Sequence, residues 1–238
     1  MKNKKILFVV EGRSEEEFID KTLNIFLKLN EDYDVIKYNT SVYELYDLLI
    51  EHEGETLIYL LRESGKIDKK LFNDFQVDAS FSFVYLVFDF DRHYQKFSID
   101  KMMYLARRFN DASDEGQLII NFPMFESIYD ISKDFSDDEI IKKLPLMSSK
   151  QYKKHVKGIS YNFTNNQFHR YIEDLDLFEK VCRFNLKRYY ALHKIDKFNG
   201  IDTLDSLIKI EGMYVSEKLI FILNMLSLLY FEFEEPST

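Results

Sequence analysis

The chain contains 238 residues, of which 46% are hydrophobic and 31% are charged, and its formal net charge is −9. This composition is typical of a globular protein with a substantial core, and the net charge argues against a generic nucleic-acid coat protein. The single cysteine, Cys182, excludes an internal disulfide and a cysteine zinc cluster, and its apolar neighbours favour a buried, inert thiol. The apolar runs at residues 6–10 and 219–229 are too short for a signal peptide or a membrane span. These features predict a cytoplasmic protein without membrane contact.

The first half of the chain alternates between strand-like and helix-like segments. Short apolar runs predict strands at residues 5–10, 33–38, 81–88 and 117–122, and helical spacing predicts helices at 15–30, 56–61 and 99–109. A further helix follows Ser41, which forms with Glu44 the pattern of a capping box. Such alternation implies a parallel sheet covered by helices, so the fold class predicted is α/β with a Rossmann-like core.

The second half of the chain has a different character. Helices are predicted at residues 137–144, 166–192, 203–210 and 216–231, with no convincing strand among them. Residues 145–165 are polar and predict a connector with one short helix at 150–156. The chain therefore divides into a core at residues 1–130, with inserted helices at about 41–75, and a helical C-terminal region at 131–238.

Charge is distributed unevenly along the chain. Residues 150–200 contain eleven Lys and Arg against five Asp and Glu, so the remainder is strongly acidic. An acidic first half and a basic later segment suit a metal-dependent enzyme that acts on a polyanion. Ordinary solvated helix faces that happen to be rich in lysine would give the same count, and the sequence leaves both interpretations open.

Acidic residues follow two of the predicted strands directly. Glu11, next to Gly12, follows the first strand, and Asp89 and Asp91 follow the strand at residues 81–88. The carboxyl ends of parallel strands form the crevice where open α/β sheets bind ligands, and residues i and i+2 of an extended segment lie about 6–7 Å apart on one face. These acids predict a Mg²⁺ site for phosphate chemistry. The alternatives are that Glu11 only caps the following helix and that the two aspartates are exposed loop acids.

Three segments in this order resemble the Toprim domain, which topoisomerases, bacterial primases and the OLD-type nucleases share. Val10-Glu11-Gly12-x-x-Glu15 resembles the OLD-type first motif, and Phe88-Asp89-Phe-Asp91 resembles the second. The segment Asn121-Phe-Pro123-Met-Phe-Glu126-Ser127 resembles the Pro-x-x-Glu segment of small Toprim proteins in phage-defence systems. The resemblance covers about residues 4–130, and the spacing between Glu11 and Asp89 is longer than in a minimal Toprim domain.

The resemblance implies a role for each matching acid. Glu11 would be a general acid/base or a metal ligand, Asp89 and Asp91 would hold Mg²⁺ (or Mn²⁺), and Glu15 and Glu126 would complete a second metal position. Glu11, Asp89 and Asp91 are accordingly the predicted catalytic residues.

The same resemblance implies a Mg²⁺-dependent nuclease similar to the Toprim effector of the PARIS phage-defence system. No Gly-x-x-x-x-Gly-Lys-Ser/Thr motif is present, so any ATP dependence would come from a separate ATPase subunit. A topoisomerase is disfavoured because no tyrosine lies in a recognisable strand-attacking context, and a primase because the zinc-binding cysteines are missing.

Basic residues outside the acidic motifs predict contacts with DNA or RNA. Arg92 could steady a phosphate, and the alternative is that it forms a surface ion pair. Lys150, Lys153, Lys154 and Lys157 could follow a nucleic-acid backbone, and the alternative is that they belong to a solvated linker.

Two other functions also stay open. One is a non-catalytic Toprim-fold interaction protein that partners an ATPase, and the other is a different phosphoryl-transfer activity at the same site. A homodimer is compatible with each of these.

Overall fold

A computed structural model of the chain describes residues 5–20, 32–65, 81–132, 134–159 and 174–234. Its centre is a sheet in the order β2–β1–β3–β5–β4, and every described neighbour pair is parallel except β4 with β5. The strands are β1 (Lys5–Val10), β2 (Asp32–Lys37), β3 (Phe83–Asp89), β4 (Asn110–Asp111) and β5 (Gly116–Asn121). The predicted α/β fold with a mostly parallel, helix-flanked sheet is confirmed.

The two central strands are buried because they are apolar on both faces. All five residues at positions 6–10 are fully buried, and so are Leu86, Val87 and Phe88 of β3. A parallel sheet needs cover on both faces, which is why these strands read as continuous apolar runs. The same runs made β1 and β3 the clearest strands in the sequence.

The helices of the first half lie close to their predicted positions. They are α1 (Arg13–Phe18), α2 (Val42–Glu51), α3 (Leu57–Glu63) and α4 (Ile99–Arg108). Ser41 is the N-cap residue of α2 as predicted, but its hydroxyl makes no capping hydrogen bond, so the expected capping box is wrong. The C-terminal part of the helix predicted at 15–30, and residues 66–75 of the predicted insertion, lie outside the described residues.

The second half contains strands that the sequence pattern did not predict. Its elements are β6 (Lys143–Pro145), α5 (Ser149–Ile159), α6 (Leu175–His193), α7 (Thr203–Glu217), β7 (Leu219–Phe221) and α8 (Leu229–Glu234). The strands β6 and β7 pair antiparallel, so the helices predicted at 137–144 and 216–231 are wrong where these strands lie, although short helical turns occupy 137–139 and 226–228 and α8 begins at Leu229. Lys218, with φ of 61°, ends α7, and the apolar run that follows begins with the strand β7. Periodicity could not show this, because a continuously apolar segment has the same pattern as a buried helix.

This second half packs directly on the end of the central sheet. Phe122 and Leu223 form an isolated antiparallel bridge, with N–H to O distances of 2.8 and 3.0 Å. Leu118 of β5 accepts a hydrogen bond from the hydroxyl of Thr203, the first residue of α7. Both β5 and the residue that follows it are therefore hydrogen-bonded to the second half of the chain. Among the described residues, no helix combines the length and the apolar character needed to cross a membrane.

Candidate functional site

The structure brings Glu11 and Asp89 together at the carboxyl ends of neighbouring strands. Val10 of β1 lies opposite Val87 of β3 in the parallel register, so both acids leave the sheet at the same edge. The Glu11 N–H donates to the Val87 carbonyl at 3.1 Å. Glu11 Oε2 accepts from the Asp89 N–H at 3.1 Å. The backbone of β3 therefore holds both the backbone and the side chain of Glu11 in place.

Glu15 and Glu126 approach the same point from two other elements. Glu15 lies in the first turn of α1, is 5% exposed, and accepts from the Gly12 N–H at 3.2 Å. Glu126 belongs to a 3₁₀ turn, Phe125–Tyr129, that follows β5. Asp89 Oδ1 accepts from the Phe125 N–H at 2.8 Å, so Asp89 anchors the turn that carries Glu126.

The pKa values show that these four carboxylates share one electrostatic environment. Burial raises the pKa of Glu11 to about 7. The backbone hydrogen bond from Asp89 opposes this rise, and the charges of Glu15 and Asp91 add to it. Burial and then Glu11, Glu15 and Glu126 raise the pKa of Asp89 well above its usual range. Burial and Glu126 raise the pKa of Glu15 as well. Each shift means that the ionised form lacks compensation, since burial and like charges both disfavour it. We call Glu11, Glu15, Asp89 and Glu126 the carboxylate cluster.

Asp91 lies on the rim of the carboxylate cluster. It is partly exposed, and its carboxylate contributes to the raised pKa of Glu11. Asp91 Oδ1 accepts from the His93 N–H at 3.1 Å, while His93 itself is exposed. All five acids predicted as metal ligands therefore lie at one edge of the sheet.

Lys153 occupies a position that the sequence did not indicate. Its Nζ lies 3.0 Å from Glu126 Oε1. Burial alone lowers the pKa of this ammonium, but Glu126, Asp89 and Glu15 outweigh that effect and the pKa is raised. Lys153 is thus a cation of the carboxylate cluster. No sequence signal separates it from its lysine neighbours, because only the docking of α5 beside the 3₁₀ turn distinguishes them.

The docking of α5 depends on a buried polar contact beneath Lys153. The Tyr152 hydroxyl donates to Asp130 Oδ2 at 2.9 Å, and both residues are buried. Lys142 Nζ lies 2.6 Å from Asp130 Oδ1, and the Arg188 guanidinium donates to the Asp130 carbonyl at 2.7 Å. Asp130 directly follows the turn that carries Glu126, so this contact fixes the helix and the turn relative to each other.

The other basic residues predicted to bind nucleic acid fall into two groups. Arg92 forms an ion pair with Glu211 of α7, and its guanidinium lies 3.8 Å from the ring centroid of Tyr214. This pairing gives Arg92 a structural partner, and its predicted phosphate contact stays a prediction. The remaining lysines are exposed on α5, away from the buried Tyr152 and Val156; they are Lys150, Lys154 and Lys157.

The chemistry of the carboxylate cluster fits a hard divalent cation, because Mg²⁺ and Mn²⁺ prefer carboxylate oxygens. Uncompensated negative charge on such partly buried carboxylates is also what a divalent ion would neutralise. Among the described residues, however, no three Asp, Glu, His or Cys side chains already surround one point as ligands. A cation would therefore have to draw the carboxylates of this cluster closer together.

A serine, a histidine and an aspartate form a second constellation, between α6 and α7. His193 Nε2 lies 2.9 Å from Ser206 Oγ, and His193 Nδ1 lies 2.6 Å from Asp205 Oδ2. This chain of contacts from serine through histidine to aspartate resembles a hydrolytic triad. Ser206, however, is fully buried, and its hydroxyl donates to the Asp202 carbonyl at 2.7 Å. The arrangement therefore joins the end of α6 to the start of α7.

The predicted burial of Cys182 is confirmed.

Comparison of the chain with protein-family models, with curated proteins and with solved structures finds no match in any of the three.

Proposed function

We propose that the protein is a Mg²⁺-dependent nuclease that hydrolyses phosphodiester bonds of DNA or RNA. The observation that carries the proposal is the carboxylate cluster, in which burial and mutual repulsion raise the pKa values of Glu11, Glu15 and Asp89. Such a concentration of like charge is unfavourable by itself and becomes favourable when a divalent cation binds. Clustered carboxyl groups with shifted pKa values are also typical of catalytic sites.

Each residue of the site has a task that its geometry supports. Glu11, whose pKa burial raises to about 7 in the absence of a cation, would be the general base that accepts a proton from the attacking water. Asp89 is oriented by the Phe125 N–H and would bind the cation together with Glu15, Asp91 and Glu126. When bound, divalent cations would supply an activated water and would stabilise the leaving oxygen. Lys153 would balance the cluster before the cation arrives.

The biological setting that we propose comes from the sequence resemblance. The three motifs resemble those of Toprim phage-defence effectors, which supports an antiviral nuclease working with a separate ATPase subunit. The exposed lysines of α5 lie on the same helix as Lys153, which contacts the cluster. That placement supports a path for the nucleic-acid backbone toward the acids.

The test is a cleavage assay with purified protein on single- and double-stranded DNA and RNA, and on mononucleotides. Mg²⁺ or Mn²⁺ should support cleavage, and EDTA should abolish it. Asp89→Asn should be inactive, while Asp111→Asn, outside the cluster, should retain wild-type activity. Turnover of mononucleotides alone would favour another phosphoryl-transfer reaction, and EDTA-resistant cleavage would contradict the proposal.

A second candidate function is a non-catalytic interaction protein. It is favoured by the ammonium of Lys153, which already partners Glu126, and by the lack of a ready three-ligand arrangement among the described residues. Calorimetric titration with Mg²⁺ and Mn²⁺ separates the two candidates. Binding that is lost in Asp89→Asn supports the enzyme, whereas no binding to the wild type supports the interaction protein.

A further inference from the structure

Tyr43 lies beneath the loop that connects β3 to α4. It occupies the first turn of α2 and is fully buried. Its ring stacks on Tyr94 with centroids 5.5 Å apart and meets the edge of Phe97 at 5.8 Å. Tyr94 in turn donates its N–H to the Asp91 carbonyl at 3.1 Å. The loop that contains Asp91 therefore wraps around the ring of Tyr43.

The hydroxyl of Tyr43 has no hydrogen-bond partner among the residues that the structure describes. A buried donor without an acceptor is unfavourable, and such groups in folded proteins normally have a partner, a water or a ligand. Burial raises the pKa of Tyr43 well above its usual range, and the carboxylates of Asp91 and Glu11 raise it further. The unpaired hydroxyl is thus within electrostatic reach of two acids of the proposed metal site.

The neighbouring Tyr94 shows what an ordinary tyrosine does in the same aromatic stack. Its hydroxyl donates to Glu44 Oε1 at 3.1 Å, outside the carboxylate cluster. The two rings are nearly parallel, with an angle of 13° between them, but of these two hydroxyls that of Tyr43 is the one without an acceptor among the described residues. Packing explains both rings and leaves the hydroxyl of Tyr43 unexplained.

We propose that Tyr43 is a further residue of the site, and that its O–H donates to a water or phosphate oxygen held beside Glu11 and Asp91 when a divalent cation is bound. The proposal rests on the proposed function, because the cation would bring the oxygen acceptor. It adds a neutral donor beside Asp91, whose neighbour in the chain, Arg92, is already paired with Glu211. A phenol donor stabilises such an oxygen without competing with the cation for the carboxylates.

The experiment compares wild type, Tyr43→Phe and Tyr94→Phe, each of which keeps the aromatic ring. Mg²⁺ alone, and Mg²⁺ with inorganic phosphate, are titrated while near-ultraviolet tyrosine absorbance and calorimetric heat are recorded. Wild type and Tyr94→Phe should give a tyrosine difference signal that Tyr43→Phe lacks. A signal with Mg²⁺ alone assigns the acceptor as water, and one that needs phosphate assigns it as a phosphate oxygen.

The affinity for the ligand that gives the signal should fall about three- to tenfold in Tyr43→Phe, the size expected for one hydrogen bond. Its melting temperature without metal should equal or exceed that of the wild type, which shows that the variant folds. Wild-type affinity and a full signal in Tyr43→Phe, or an equal loss in Tyr94→Phe, would overturn the role of Tyr43 and leave the nuclease proposal intact. Failure of the wild type to bind either cation would overturn both.

Discussion

At the scale of single residues, Glu11 and Asp89 each use one carboxylate oxygen to hold the backbone. Glu11 Oε2 accepts from the Asp89 N–H, and Asp89 Oδ1 accepts from the Phe125 N–H. Within the described part of the chain, the second oxygen of each carboxylate accepts no hydrogen bond and is left for a ligand. An amide side chain retains one oxygen acceptor of the same shape, so Gln and Asn can preserve the anchoring while they remove the charge.

Glu11→Gln and Asp89→Asn should therefore abolish nuclease activity without destabilising the metal-free protein. We expect a melting temperature equal to or above that of the wild type, because each substitution removes one of several repelling charges. Mg²⁺ should raise the melting temperature of the wild type by mass action and should do so much less in the variants. Thermal unfolding with and without Mg²⁺ measures both effects.

Asp111→Asn is the matched control for these substitutions. Asp111 is exposed, and its carboxylate is bound by the hydroxyl and N–H of Ser113, which lower its pKa. This variant should keep both its activity and the full response to Mg²⁺. If Glu11→Gln and Asp89→Asn instead melted many degrees lower and Mg²⁺ did not affect the wild type, the acids would be structural.

The pKa of Glu11 predicts how metal-free stability depends on pH. Its folded-state pKa of about 7 lies above the ordinary value of 4.5, so between these values the folded state binds more protons than the unfolded state. The free energy of unfolding should therefore fall as pH rises through this window, by at most about 1.4 kcal/mol per pH unit for one group. Urea unfolding with EDTA at several pH values measures the slope.

Two comparisons test whether Glu11 causes this slope. Glu11→Gln should flatten the pH dependence of the free energy of unfolding. Saturating Mg²⁺ should restore, at pH 7 and above, the stability that the metal-free protein loses as the pH rises to 7, because cation binding favours the ionised carboxylates. A metal-free wild type that became steadily more stable across the window would show that the cluster is not strained by its own charge.

Lys153 provides the corresponding prediction for a cation. Lys153→Met removes the ammonium that lies 3.0 Å from Glu126, so metal-free stability at neutral pH should fall and the stabilisation by Mg²⁺ should grow. Lys154→Met, on the neighbouring exposed position, should change neither quantity. Equal responses of the two variants would place Lys153 outside the electrostatics of the cluster.

At the scale of elements, the turn that carries Glu126 depends on a buried amide from the far end of the chain. The Asn224 side chain donates to the Phe125 carbonyl at 3.1 Å, and its oxygen accepts from the Ser227 N–H at 2.9 Å. Asn121 Oδ1 accepts from the Leu226 N–H at 3.2 Å. Asn121, Asn224 and Ser227 are fully buried. The last described segment of the chain thus supports the position of a proposed metal ligand.

Asn224→Ala should lower the free energy of unfolding by about 2–4 kcal/mol, because each buried group left without a partner costs about 1–3 kcal/mol. Chemical denaturation measures the loss, and the exposed Asn199→Ala is the control. The stabilisation by Mg²⁺ should also shrink, since the turn with Glu126 would be less fixed. A loss below about 0.5 kcal/mol would contradict the structural role of this amide.

The elements also show where sequence patterns succeed and fail. The strands β1 and β3 were predictable because buried parallel strands form continuous apolar runs, and their order placed Glu11 beside Asp89. The same reasoning failed for residues 219–221, where a long apolar run resembles a helix although it contains a strand and a 3₁₀ turn. Burial on all sides removes the period on which the distinction depends.

At the scale of the whole molecule, the sequence predicted which acids meet but not what balances them. The Glu11 and Asp89 positions follow from a general rule about strand ends. The contact of Lys153 with Glu126 depends instead on how α5 docks through Tyr152 and Asp130, a tertiary contact that leaves no local pattern. The hydroxyl of Tyr43, which has no hydrogen-bond partner among the described residues, also leaves no sequence pattern, because its surroundings are set by tertiary contacts.

Because the net charge of the chain is −9, binding of nucleic acid requires a local concentration of positive charge on the surface. Replacing Lys150, Lys154 and Lys157 by Gln should weaken binding to a DNA duplex and should reduce the slope of log affinity against log salt by up to about 2.7, since each phosphate contact contributes about 0.9. Gel-shift titrations over a range of salt concentrations, with an uncleavable substrate or the Asp89→Asn background, measure the slope without degradation.

The matched control removes the same charge elsewhere on the surface. Lys180, Lys194 and Lys197 are exposed in or just after α6, so their replacement by Gln changes the net charge equally. If binding depends only on overall charge, both triple variants should lose affinity alike. If α5 forms the path toward the carboxylate cluster, only the α5 variant should show a smaller slope of log affinity against log salt. The reason is that this slope depends on the number of phosphates contacted and not on the net charge of the protein. Unchanged binding in the α5 variant would show that its lysines are a solvated helix face.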